Sequence, residues 1–186
     1  MNDRITKTTA EIDAIAKDAA ATFGSLGRDQ LNWKPATKSW SVAQCFDHLM
    51  TINSMYFPLF ERMRSNDVSN TFWEKYSPLS GFFGRYLKKT LSPEYPKKMK
   101  TTRKAYPSAS DLDGKIISQF GEHQRHLAEH IGQISPEIDL RKTIITSPLL
   151  SFVTYSLDDT LTILTVHEHR HLLQAQRVME TDGFSD

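Results

Sequence analysis

The apolar residues of this chain recur at three- and four-residue steps in four long segments, and no run shows the two-residue alternation of a half-buried sheet. That period belongs to helices that each bury one face. In the first segment the line is Ile5, Thr8, Ile12, Ile15, Ala19, Phe23 and Leu26, with Gly24 and Gly27 at its end. The second opens on Ser41 and Gln44, a capping box in which each side chain satisfies the other residue's backbone amide. It continues through Val42, Cys45, Phe46, Leu49, Ile52, Tyr56, Leu59, Phe60 and Met63, and Pro58 is expected to kink it. The third is expected to start near Ser110, to bury Leu112, Ile116, Phe120, Leu127, Ile131 and Ile134, and to stop at Pro136. The fourth is expected to start near Ser156, with Asp158 and Asp159 at the positive end of its dipole. Its line is Leu157, Leu161, Leu164, Ala175 and Val178. The expectation is an all-α protein, an antiparallel four-helix bundle, in one domain over residues 1–186, a length that suits a single domain.

Residues 66–107 interrupt the pattern. Pro78, Pro93, Pro96 and Pro107, with Gly81 and Gly84, argue against a long helix there. From Trp73 to Pro107, nine Lys and Arg face only Glu74 and Glu94, a local net charge of +7. Between helices two and three, this predicts a long, irregular basic and aromatic insertion, with short helical turns packed by Phe82, Phe83, Tyr86 and Leu87. The whole chain is only +1, which argues against a nucleic-acid partner. The single cysteine, Cys45, excludes an internal disulfide and a cysteine-built metal site. No apolar run is long enough to span a bilayer, and the charged N-terminus lacks a signal-peptide core. The expectation is a cytoplasmic protein with no membrane partner.

The seven histidines carry the chemical signal. His167 and His171 lie one helical turn apart, so both imidazoles can reach a single ion. They also fall in the buried line of the fourth helix, where an unpaired polar group costs roughly 1–3 kcal/mol. A shared metal removes that cost for both rings, and so do ordinary hydrogen bonds. A third ligand must come from another helix. His48, on the line Cys45, His48, Ile52, Met55 and Leu59, is the first candidate; His123 and His130 compete, and His126 sits nearer the boundary. Three neutral imidazoles would leave positions open to solvent on one side.

His167-Glu168-His169-Arg170-His171 also matches H-E-x-x-H, the metalloprotease string. Gln174 and Arg177 occupy the positions where one class of such enzymes needs glycine and histidine, and only Glu180 remains downstream as a third ligand. Glu168, turned about 100° from His167, is expected at the surface. Gln174 could orient a ligand or substrate, or only satisfy the helix interface. Asp47 is expected to face solvent, Cys45 to be a small buried apolar residue, and Trp33 and Trp40 to pack the loop against the bundle end.

At these residues the chain resembles a known family. Leu31-Asn32-Trp33-Lys34-Pro35, Ser39-Trp40-Ser41-Val42-Ala43-Gln44 and Asp47-His48-Leu49 resemble the start of a DinB-like domain. Ser147-Pro148-Leu149-Leu150 and the run from His167 through Gln174 to Ala175 resemble its late motifs. Ser147 and Leu150 stand where the family carries histidine and glycine, and residues 157–163 lack its tryptophan. The resemblance implies an antiparallel four-helix bundle, often a homodimer, with a divalent metal, commonly nickel or zinc, on three histidines. Matched residue by residue, these are His48, His167 and His171. Because the superfamily includes bacillithiol and mycothiol transferases, it implies a metal-dependent thiol S-transferase or hydrolase acting on a small molecule, such as a low-molecular-weight thiol. The alternative is a non-catalytic protein of the same fold with a vestigial or structural metal site.

Overall fold

The computed structural model describes residues 2–68, 71–97 and 101–184. It is mostly helical, with one small two-stranded sheet. In chain order the elements are α1 (Asp3–Phe23), α2 (Arg28–Asn32), α3 (Val42–Ser54), α4 (Phe57–Arg64), α5 (Phe72–Tyr76), α6 (Ser80–Leu91), a 3-10 turn at Arg103–Ala105, α7 (Ile116–Gly132), β1 (Ile144–Thr146), β2 (Thr154–Ser156) and α8 (Leu157–Met179).

The long helices α1, α3, α7 and α8 supply much of the interior, and α4 adds Phe60 and Met63. α1 packs on α7 and α8, and α3 packs on the same two. One apolar cluster joins Ile12, Phe60, Leu127, Ile131, Leu161 and Leu164. A second joins Ile15, Phe23, Phe46, Leu49, Phe120 and Ala175. The periodic lines read from the sequence supply nearly all of these residues.

Three boundaries differ from expectation. Pro58 does not kink one helix; the chain breaks into α3 and α4. The Met55 and Tyr56 amides turn back to Ile52 and Asn53, and Pro58 falls in the first turn of α4, where no intrahelical donor is lost. The third long helix begins at Ile116, not near Ser110, because Asn32 captures both backbone groups of Leu112, at 2.8 and 2.9 Å, and holds that stretch out of the helix. The connector before α8 contains the antiparallel hairpin β1–β2, with Ile145 opposite Tyr155.

Residues 71–91 hold more helix than the prolines of this stretch suggest. α5 starts at a capping box between Thr71 and Glu74, and α6 runs for 12 residues. Phe83, Leu87 and Leu91 pack against Ile145, Val153, Tyr155 and Ile163. Phe82 and Tyr86, expected to pack, are exposed instead. α6 approaches α8 so closely at Gly84 that a Cβ there would collide with the Asp159 carboxylate. Lys88 pairs with the same carboxylate at 2.5 Å.

Candidate metal centre

α3 and α8 bring three histidines to one point. The Ser41–Gln44 capping box sets the start of α3, with the Gln44 amide donating to Ser41 Oγ at 3.2 Å. His48 follows one turn later. The hydroxyl of Ser156 accepts from the Asp159 amide at 3.0 Å and starts α8, which delivers His167 and His171 in its middle. His48 Nε2 lies 3.3 Å from His167 Nε2, and His171 Nε2 lies 3.0 Å from the same atom. One ring nitrogen from each residue lies within 4.8 Å of both others. Ligands ~2.0–2.1 Å from a zinc ion would stand about 3 Å apart, so this spacing suits a shared ion.

The donor chemistry agrees. His48 Nδ1–H donates to the Ala105 carbonyl at 2.5 Å. A carbonyl only accepts, so the proton is fixed on Nδ1 and the Nε2 lone pair faces the other rings. His167 Nε2 has one position for a proton and two nitrogens facing it. Burial holds all three rings neutral: it lowers the pKa of His48 and His171 and takes His167 down to about 3, with His48 and Arg170 adding to the shift at His167. Neutral imidazole is the form that binds metal. These residues could hold a divalent cation.

The triad is enclosed rather than open on one side. His48 is 3% exposed, and His167 and His171 are each 8% exposed. Trp40 lies against it, 4.8 Å from the His48 ring and stacked 5.7 Å from His171. Trp40 therefore walls the site, whereas Trp33 meets Phe184 edge-on, as packing at the end of α8 requires. The segment around Ala105 forms the other wall. Gln44 Nε2 donates to the Ala109 carbonyl at 2.9 Å, and Asp47 accepts the amide and hydroxyl of Ser108 at 2.5 and 3.0 Å. Asp47 thus anchors this strap and does not orient a ligand ring.

The competing histidines lie elsewhere. His123 and His130 stack on Phe57. His130 also approaches Glu61 at 3.0 Å, and His126 is exposed beside Glu129. Gln174 is the one group that opposes the downward shift at His171. Cys45 is 1% exposed, and burial pushes its thiol far above the usual range. It is a small apolar core residue.

Glu168 departs most from expectation. It is 0% exposed, not at the surface. Its Oε1 accepts from Asn53 Nδ2 of α3 and Gln124 Nε2 of α7, both at 2.7 Å. Burial raises its pKa to about 7, with the Gln124 and Asn53 bonds opposing. The glutamate of the H-E-x-x-H string is committed to the helix interface, which removes the protease reading. A signal for it existed: Leu161, Leu164, Glu168, Leu172 and Ala175 follow at three- and four-residue steps, as do Phe120, Gln124 and Leu127.

The family model of the DinB superfamily matches residues 11–175. No curated protein and no solved structure matches the chain. The matched span contains all three converging histidines.

Proposed function

The chain belongs to the DinB superfamily, and we propose that it is a metal-dependent enzyme in which His48, His167 and His171 hold a divalent cation. The observation that carries this reading is the convergence of three buried, neutral ring nitrogens, one of them fixed in its tautomer by Ala105. Nickel and zinc are the ions proposed, since both suit imidazole ligands. The same reading takes residues 1–186 as one antiparallel four-helix bundle with 66–107 as its insertion, working in the cytoplasm as a homodimer.

The proposed reaction is thiol S-transfer or hydrolysis on a small molecule. A bound divalent ion would supply Lewis acidity and lower the pKa of a thiol or water beside it. The protein's own contribution is enclosure and charge. Trp40 and the Ala105 strap exclude bulk water from the imidazoles. Arg103 and Lys104, both exposed, immediately precede Ala105 and favour an anionic substrate, such as a low-molecular-weight thiol carrying carboxylates.

The test is turnover by tag-free protein loaded with nickel or zinc, using such thiols with an electrophilic acceptor, and small esters. Metal-dependent turnover that disappears in His167→Ala supports the enzyme. Fully loaded protein with no turnover on either substrate class leaves the alternative, a non-catalytic DinB-fold protein with a structural or vestigial site.

A further inference from the structure

α6 buries an apolar face and also exposes two aromatic rings among the cations of its outer one. Its inner face, Phe83, Leu87 and Leu91, is used against the hairpin and α8. A helix lying on a protein surface ordinarily turns a polar face outward. Here the outer positions carry Leu79 at 47%, Phe82 at 55% and Tyr86 at 46% exposure. Phe72 and Tyr76, 78% and 60% exposed, lie on α5, the separate short helix that precedes α6. Their rings lie 4.9 Å apart, and those of Phe82 and Tyr86 stack at 6.1 Å. Trp73 of α5, 42% exposed, donates to the Phe152 carbonyl at 3.2 Å. An exposed aromatic surface of this extent marks an interaction site.

Charge identifies the occupant. Lys75, Arg85 and Lys89 are exposed along the same two helices. Across residues 71–91 the one acid is Glu74, which is buried, with its carboxylate taken up by the amides of Thr71 and Thr146. Lys88 is directed to Asp159 of α8. The face is therefore aromatic with a cationic fringe, offset only by Glu94, which is exposed and lines one groove with Arg85, Lys88 and Lys89. A symmetric contact with a second copy would gather two sets of Lys75, Arg85 and Lys89 into one interface, with only the two Glu94 carboxylates to offset them. Tyrosine, tryptophan and phenylalanine bordered by Lys and Arg suit the boundary of an anionic bilayer, where rings enter the acyl edge and cations meet headgroups.

We propose that the α5–α6 face docks on an anionic lipid surface. Among the described residues no helix is long and apolar enough to cross a membrane, so the association is peripheral. It revises the expectation of no membrane partner and does not depend on the metal reading.

The experiment is co-sedimentation of the full chain with vesicles of phosphatidylcholine alone and of equimolar phosphatidylcholine and phosphatidylserine. Wild type should sediment with the mixed vesicles, not with phosphatidylcholine, and less at high salt. Tyr76→Ser/Phe82→Ser should weaken binding at least about tenfold by withdrawing two rings. At about fivefold per cation, Arg85→Glu/Lys89→Glu should weaken it at least about 25-fold. All four side chains are exposed, so both variants should keep the wild-type circular dichroism spectrum. Wild type that ignores mixed vesicles, or variants that bind as well as wild type, would overturn the proposal. So would a dimer dissolved by Phe82→Ser in a protein that binds no vesicle, since the face would then belong to a second copy.

Discussion

His48 and His167 are 119 residues apart in the chain, and their Nε2 atoms meet at 3.3 Å. Nothing local to either residue makes that contact. It follows from α3 packing on α8, with each helix started by its own side-chain cap. If both rings serve one ion, the chain has built a metal centre from two rigid helices, and the interior should not need the ion to hold together.

The first prediction concerns that independence. Phe23, Phe46, Phe60, Phe120 and Leu127 are fully buried without reference to the histidines. Chelation at neutral pH should therefore leave the helical circular dichroism signal intact while lowering Tm by mass action. A chain that unfolds on chelation would make the ion a structural staple.

Glu168 provides a second. Glu168→Leu removes the shared acceptor of Asn53 and Gln124 and leaves two buried donors unpaired, at about 1–3 kcal/mol each. Urea unfolding should show a loss of roughly 2–6 kcal/mol. Glu168→Gln keeps an oxygen at the same place and should lose much less. Equal losses in both variants would show that the hydrogen bonds are not what Glu168 contributes.

His123 makes the acid limb of stability testable away from the triad. Burial, with His126 and His130 adding, lowers its pKa to about 4, and its Nε2 is buried without a partner. As pH falls below the unfolded value of about 6.5, the unfolded chain takes up the proton first. This residue's share of stability is therefore complete above about pH 6.5 and is lost toward pH 4. His123→Phe retains a ring to stack on Phe57 and should flatten the pH dependence of the urea midpoint across that window. An unchanged slope would count against the assignment.

The long helices and the three converging histidines were readable because both follow helical period: His167, His171 and His48 sit on lines of buried residues, while period alone left His123 and His130 in competition and the resemblance to DinB-like domains matched His48. Glu168, Asn53 and Gln124 sit on such lines too, but polarity hides a residue from a pattern built on apolar spacing. The start of α7 was out of reach for another reason. Asn32 acts on Leu112 across 80 positions, and no local signal reports that. Trp40 and Ala105, which wall the site, lie in loops whose placement depends on the packed fold.

The strap should respond to its anchor. Asp47→Ala removes both bonds to Ser108, and hydrogen exchange at the Ser108 amide should rise by about tenfold or more, while metal content stays near wild type because His48 keeps Ala105. Unchanged exchange would mean that the strap is held by other contacts.

Elemental analysis of tag-free protein tests the central claim most directly, with His48→Ala, His167→Ala and His171→Ala measured beside the wild type. The account predicts about one divalent ion per chain in the wild type, and a loss in each variant well beyond the ~10–100-fold typical of residues that only support a ligand. Wild type free of metal after growth and dialysis in nickel and zinc, or full occupancy in His48→Ala with loss in His123→Ala or His130→Ala, would contradict it.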